Sequence, residues 1–349
     1  MESGIYQTNY RADMALRKTR AEWIRLALFV GAVVAFPFFA DRYALTIANQ
    51  IAIATVGAIG LNILVGYTGQ ISLGQGGFMA VGAYTAALLT VNLDVHWTLS
   101  TLAGAGAAAV VGLLFGIPSL RLKGLYLAIA TLAAQEIILW VVTHWDALTG
   151  GKEAIVVPDP MLFGVSFRDD FNFYWLGAGC AALAALANLN LLRTHYGRAF
   201  VAIRDQDIAA SAMGVNVFST KLIAFALSSG IVGVAGALTA HYRGIVTWER
   251  FTIEVSILYL SMIIIGGLGS VTGSFLGAVL LTVLPALITE VGYALSETIP
   301  SIDATIPYVQ QAVFGLTIMF FLIFEPRGLS EIWKNVKDYF WLWPFDYEK

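Results

Sequence analysis

The chain has 349 residues, of which 58% are hydrophobic and only 12% charged, with a formal net charge of −3. An average soluble domain carries about twice that charged fraction, so composition excludes a soluble globular protein and points to one embedded in a membrane. The single cysteine, Cys180, excludes a disulfide framework or a cysteine metal set, and no nucleic-acid partner is expected.

Residues 1–23 form a polar arm bearing Arg11, Arg17, Lys18 and Arg20, followed by a first apolar run that ends at Phe39-Ala40-Asp41 with no small-residue cleavage site. It is expected to stay as a span rather than leave as a signal peptide. Apolar runs predict spans over 24–40, 44–65, 73–91, 98–117, 124–145, 173–192, 221–241, 253–267, 273–292 and 307–324. Runs near or above about 18 residues, with no alternation in ~10-residue strands, predict helices rather than a β-barrel. The expectation is an all-α polytopic membrane protein with about 10 transmembrane helices, a membrane-spanning body over 24–324 and a polar tail over 325–349. Trp97, Trp140, Trp145, Tyr174, Trp175 and the Trp341 to Trp343 cluster fit interfacial aromatic belts.

Charge sets the orientation. Of the 20 Lys and Arg, all but Arg42, Lys152, Arg168, Arg243 and Arg250 fall on one side: the arm with Arg25, the Arg121/Lys123 turn, the stretch 193–221 and the tail. The other side is acidic instead, with Asp94, Asp146, Glu153, Asp159, Asp169, Asp170, Glu249, Glu297 and Asp303 among its residues. The positive-inside rule then predicts both termini in the cytoplasm. The loop 146–173 becomes the sizeable outer segment, and Met161 to Phe167 is apolar enough to pack back on the protein. The tail from Ser330 to Phe340 has helical spacing and is expected to lie along the inner leaflet lipid.

Between spans 2 and 3 runs GYTGQISLGQGG, with five glycines from Gly66 to Gly77. Each interior glycine costs a helix about 1 kcal/mol against alanine, so a continuous helix is not expected. Two readings stand: a plain turn between spans, or a break at membrane depth that presents polar groups to cargo. On the second reading Asn62, Gln70, Ser72, Gln75, Glu136 and Glu254 are candidates for the translocation pathway. Glu136, in LYLAIATLAAQEIILWVV, has three readings: a helix-packing hydrogen bond, a pathway residue or a proton relay. The first leads, because no His or Lys partner accompanies it. Ala and Gly through spans 3 and 4 suit helices whose backbones approach closely, or helices that slide, and His241 is expected at the outer interface.

Arg193 to Lys221 is a polar island between two long apolar runs. Asp207 to Met213 is predicted as a short helix stopped by Gly214. It reads either as a docking element or as a solvated connector. Gly266 to Gly273 superficially resembles a phosphate loop, yet no Lys follows and no strand precedes it, and the chain nowhere contains G-x-x-x-x-G-K-[ST]. It is not its own ATPase, and no Ser/His/Asp set, zinc spacing or haem motif makes it a membrane enzyme.

GYTGQISLGQGGF, PSLRLKGLYLAIATLA, LTGG at Leu148 to Gly151, the island, IGGLGSVTGSFLGA and FEPRGL together resemble the LivM-type permeases of the branched-chain amino acid ABC importers, over most of residues 44–330. The resemblance implies a fold similar to cobalamin-type (type II) importer permeases, in a bacterial cytoplasmic membrane. It implies as partners a homologous LivH-like permease subunit, two cytoplasmic ATPase subunits that bind ATP-Mg, and an extracytoplasmic solute-binding protein. No cofactor is expected on this chain. It makes the island a coupling loop that seats in an ATPase cleft, with Arg204, Asp207, Ala209, Ala210, Gly214 and Lys221 as the coupling residues. The chain departs from the family pattern at Lys152-Glu153-Ala154, just after LTGG. Urea and short-chain amide permeases share most of these landmarks. The alternatives from other classes are a proton-driven secondary transporter working through Glu136, and a channel, for which no filter or charged ring is present.

Overall fold

The computed structural model describes residues 20–119, 122, 124–162, 164–296 and 305–342. Most of the expected arm (1–19), Arg121, Lys123, Glu297, Asp303 and the chain end from Trp343 lie outside the described residues. The chain divides into two units, residues 1–46 and 47–349. In the first, α1 (Arg20–Phe39) is an apolar helix with Pro37 in its last turn, and Arg42 opens the next helix.

That helix, α2 (Arg42–Asn62), widens into a π-helical turn at Ile63–Tyr67, and the chain is then non-helical until α3 (Gln75–Leu93). There follow α4 (Trp97–Ser119), α5 (Leu125–His144) and the short α6 (Asp146–Thr149). Three two-residue strands come next: β1 (Ile155–Val156), β2 (Met161–Leu162) and β3 (Val165–Ser166). The second half holds α7 (Asp170–Arg193), α8 (His195–Asp205), α9 (Asp207–Ala212), α10 (Val217–Arg243), β4 (Ile245–Val246), a 3₁₀ turn Trp248–Phe251, α11 (Ile253–Gly266) and α12 (Val271–Ser296). The described chain ends with α13 (Ile306–Phe324) and α14 (Leu329–Leu342).

The protein is thus all-α and polytopic. Among the described residues eight helices are long and apolar enough to cross a membrane, fewer than the ten spans expected. Expected span 253–267 is helical, but α11 has only 14 residues. At 1.5 Å per residue it rises about 21 Å, short of a ~30 Å hydrocarbon core.

The centre of the second unit is a trio of α3, α4 and α10 held by backbone-to-backbone approach. A Cβ placed on Gly236 of α10 would collide with the Met79 carbonyl of α3, and one on Gly82 would collide with the Gly233 carbonyl. On α4, Gly104 faces Gly82 in the same way. Lipid supplies no hydrophobic force between helices, so contact at this range replaces it. Phe78 and Phe225 pack edge to face beside these contacts, with ring centroids 6.3 Å apart. By contrast α13 buries only Ile306 within the chain, and the 24-residue α7 only Phe173, Tyr174, Gly177 and Asn188.

The segment 146–173 is packed, as expected. β1 pairs with β4 antiparallel, β2 and β3 form a hairpin, Trp97 Nε1 donates to the Met161 carbonyl at 2.9 Å, and Arg168 pairs with Asp159. Lys152, Glu153 and Ala154 are all exposed. One expectation is corrected here: His241 is not interfacial but 2% exposed, with Trp97 packed edge-on against it and Ser100 Oγ 3.4 Å away.

Candidate functional site

The broken segment from Thr68 to Gly74 is bonded into the protein rather than left as a free turn. Non-helical backbone has no partners of its own, and each buried N–H or C=O left unpaired costs about 1–3 kcal/mol. Side chains from other helices supply the partners. The Leu73 N–H donates to Thr131 Oγ1 of α5 at 2.9 Å, and the Gly76 N–H to Ser256 Oγ of α11 at 2.8 Å. Gln135 of α5, with its amide oriented to satisfy both ends, donates to the Leu73 carbonyl and to Ser256 Oγ and accepts from the Ile253 N–H. Gln75 Nε2 donates back to the Gly57 carbonyl of α2 at 3.0 Å.

Asn62 forms a second knot 200 residues away in sequence. Fully buried at the last α-helical position of α2, it accepts from the Gly269 N–H at 2.9 Å and donates to the Ser270 carbonyl at 2.9 Å and to Ser274 Oγ at 2.8 Å. The glycine passage between α11 and α12 is therefore a helix joint pinned to α2, not a phosphate loop.

The polar island folds as two helices where one was expected. α9 covers the predicted helix and ends at Gly214, whose φ of +87° takes the left-handed conformation that suits glycine; the Val215 N–H bonds to the Ala210 carbonyl at 3.0 Å. α8 was missed, although its signal is in the sequence. Thr194 caps it, accepting from the Gly197 N–H, and Gly197, Phe200 and Ile203 are buried at a spacing of three while Tyr196, Arg198 and Arg204 face out.

Arg204, the last cation of α8, links the island to the broken helix: its Nη1 donates to the Gly66 carbonyl of the π turn at 3.0 Å. Its Nε donates to Asp205 at 3.1 Å, and Lys221 Nζ lies 3.8 Å from Asp207. The two adjacent alanines of α9 part company. Ala209 is exposed, whereas Ala210 is 4% exposed and packs inward. The outward face carries Ile208 (72% exposed) and Met213 (86%), apolar knobs that sequence reading missed. A cleft of about 250 Å³ lies between Thr68–Gln70, the start of α5 and the island from Ile203 to Asp207, with Lys221 at its edge.

The structure does not bring the six pathway candidates together. Asn62, Gln70, Ser72 and Gln75 are buried along the broken segment, and the amides of Asn62 and Gln75 are engaged in holding backbone. Glu254 is exposed in the first turn of α11. Glu136 is exposed on α5 beside Ile137 and Trp140, and among the described residues it has no hydrogen-bond partner, so no packing bond within this chain holds it.

A polytopic helical bundle with a broken helix bonded to a surface helix pair fits a membrane transport protein. The family model for the permease component of branched-chain amino acid transport systems matches residues 43–322, and the chain belongs to that family. It is similar to the high-affinity branched-chain amino acid transport system permease protein LivM of Salmonella typhimurium, at 38% identity over 87% of this chain and 73% of the relative. The LivM protein of Escherichia coli matches equally, at 38% identity over the same shares. It is also similar to the probable branched-chain amino acid transport permease protein LivH of Methanocaldococcus jannaschii, at 30% identity over 80% of this chain and 89% of the relative. No solved structure matches the chain.

Proposed function

We propose that this chain is one permease subunit of an ABC importer that moves branched-chain or related amino acids across the bacterial cytoplasmic membrane, using ATP-Mg bound and hydrolysed by two separate cytoplasmic subunits. The observation that carries the reading is the bond from Arg204 to the Gly66 carbonyl. Through it α8, which leads directly into α9 with Ile208, Ala209 and the following Met213 outward, is tied to the only π turn among the described helices. Displacement of that helix by an ATPase cleft would pull directly on the broken segment, and π turns recur at such functional points. Asp207, Gly214 and Lys221 shape the helix, and Ala210 seats it on the chain.

The chain supplies the membrane half of the mechanism and no catalytic group. Its basic loops argue for both termini in the cytoplasm. Glu136 supports the second subunit: a carboxylate exposed near the middle of α5 is costly against lipid, and a LivH-like chain packed on that face would remove the cost. The packed outer segment offers a firm surface to a solute-binding protein. Relatives that share the landmarks and carry urea or short amides keep the cargo open within this class.

The test is uptake by the assembled transporter in vesicles. Ala209→Arg and Met213→Arg should abolish ATP-dependent leucine uptake with the amount of permease unchanged. Normal uptake in both, or accumulation by this chain alone without an ATPase, would overturn the reading. Ala210→Arg is the poorer test, because it disturbs packing as well as docking.

A further inference from the structure

We propose that α14 is a membrane-surface helix: its apolar stripe enters the cytoplasmic leaflet, and the lipid so engaged steadies the passage between α11 and α12. Which leaflet it enters rests on the proposed function; the insertion itself is argued from the helix and its surroundings.

The side chains of α14 are sorted by face. Ile332, Trp333, Val336 and Tyr339 recur along one side, between 37% and 65% exposed, while Glu331, Lys334 and Asp338 take the opposite side. The stripe starts inside the protein: Leu329, on the same face one turn before Trp333, packs on the core. Gly328 just ahead of it approaches the Gly267 N–H and the Ile265 carbonyl so closely that a Cβ would not fit. Beyond that first turn the face is open. It follows by a short turn the end of α13, where Phe320, Leu322, Ile323 and Phe324 are all exposed in a helix long enough to cross the membrane. The open stripe thus continues an apolar surface that already faces lipid.

The level of α14 is set independently by the island. Arg204 Nη1, on a polar helix pair that belongs in water, reaches the Gly66 carbonyl, and a Cβ on Gly269 would lie 3.1 Å from the same nitrogen. Two residues before Gly269, a Cβ on Gly267 would collide with Ser330 Oγ in the first turn of α14. The start of α14 therefore sits at the end of the bundle where water meets lipid. With 14 residues the helix rises about 21 Å, too short to recross about 30 Å of hydrocarbon. Standing out into water it would leave four large apolar side chains wet. Lying flat, it places them at the headgroup boundary, where Trp and Tyr are favoured.

Charge decides the kind of lipid contact. Glu331 and Asp338 balance Lys334 and Lys337, and Glu331 lies 3.4 Å from Lys334 and 3.7 Å from Arg327. A helix without net charge gains little from anionic headgroups, so apolar insertion carries the binding and a zwitterionic bilayer is enough. The consequence reaches the transport machinery, because the first turn of α14 is wedged against the passage that Asn62 grips at Gly269 and Ser270. Lipid on the stripe steadies that side of the joint while the island moves.

The test places nitroxide labels on the purified full chain, with Cys180→Ser, in nanodiscs of phosphatidylcholine alone. Trp333→Cys and Val336→Cys carry labels on the stripe, Lys334→Cys and Asp338→Cys on the opposite face. Collisions with oxygen, which concentrates in lipid, relative to those with a water-soluble nickel chelate should be at least fivefold higher for the first pair. An equal ratio at all four positions would put the helix in water and overturn the proposal. Exclusion of both reagents at Trp333 and Val336, in the single chain or in the assembled transporter, would mean that protein covers the stripe and would overturn it too. A contrast that needs added phosphatidylglycerol would overturn insertion without charge. In vesicles of the assembled transporter, Trp333→Glu with Val336→Glu should slow ATP-driven leucine uptake at least threefold with the amount of permease unchanged, and full uptake would overturn the steadying role. If that pair depletes the permease, Val336→Glu alone decides. The labels need no transport, so they judge the helix even if the chain imports no amino acid, and their failure leaves the permease reading standing.

Discussion

The α3/α4/α10 trio and the joint around the broken helix are both rich in glycine, yet glycine acts differently in each. In the trio Gly82, Gly233 and Gly236 bring backbone onto backbone, and nothing on the other side can yield. In the joint, side chains do the holding: Thr131, Gln135 and Ser256 grip the segment 73–76, Asn62 grips 269–274, and Arg204 grips Gly66. Each such hydrogen bond is worth about 1 kcal/mol net and can be exchanged for another partner. A steric contact offers no such exchange. The trio is suited to move as a block, and the joint to break and remake its contacts.

The largest expected effect tests the block. Gly236→Leu should drive a branched side chain into the Met79 carbonyl, and overpacking of this kind costs about 1–3 kcal/mol or more. Most of the protein should be lost from the monodisperse fraction in detergent, and a normal yield would show that the helices have room to part. Asn62→Leu comes next. It strips the partner from the Gly269 N–H, at about 1–3 kcal/mol, while the Ser270 carbonyl keeps its bonds from Ser274, and should lower the thermal midpoint of the purified chain by a few degrees. An unchanged midpoint would mean that the α11–α12 passage finds its partners elsewhere.

Arg204→Met should separate the two regions most clearly. Its guanidinium is partly exposed and the trio does not depend on it, so yield should stay within about twofold while ATP-driven uptake falls at least tenfold, about 1.4 kcal/mol of coupling. Loss of yield in parallel with uptake would make Arg204 a fold residue. Glu136→Gln should matter less, changing uptake less than about threefold. A complete stop, together with collapse on adding an uncoupler, would favour the proton-driven alternative.

Most helices were legible because the signal is local. The expected spans 98–117, 124–145 and 307–324 fall within a few residues of α4, α5 and α13, since apolar length alone dictates them. The joint was not legible, because its bonds pair residues far apart: Arg204 with Gly66, and Asn62 with Gly269 to Ser274. No periodicity within a segment encodes which distant carbonyl an arginine will reach. Nor can neighbouring alanines be told apart by pattern, so Ala209 and Ala210 carried the same expectation although one faces out and the other in. The face of Glu136 was not legible for a related reason: the sequence places it in a helix but not on a face, and that helix is apolar all round.

The smallest expected effect isolates that limit. Gly104 and Gly106 lie two residues apart on α4 in the same Ala-Gly run, indistinguishable by composition. A Cβ on Gly104 would come within 2.6 Å of the Gly82 carbonyl, whereas one on Gly106 would meet nothing within 4 Å. Gly106→Ala should therefore leave the folded fraction unchanged or raise stability by up to about 1 kcal/mol, through helix propensity alone. Gly104→Ala should lower it, with thermal unfolding of the two variants measured side by side. If both lose stability equally, close backbone approach is not what binds the trio, and its contrast with the joint disappears.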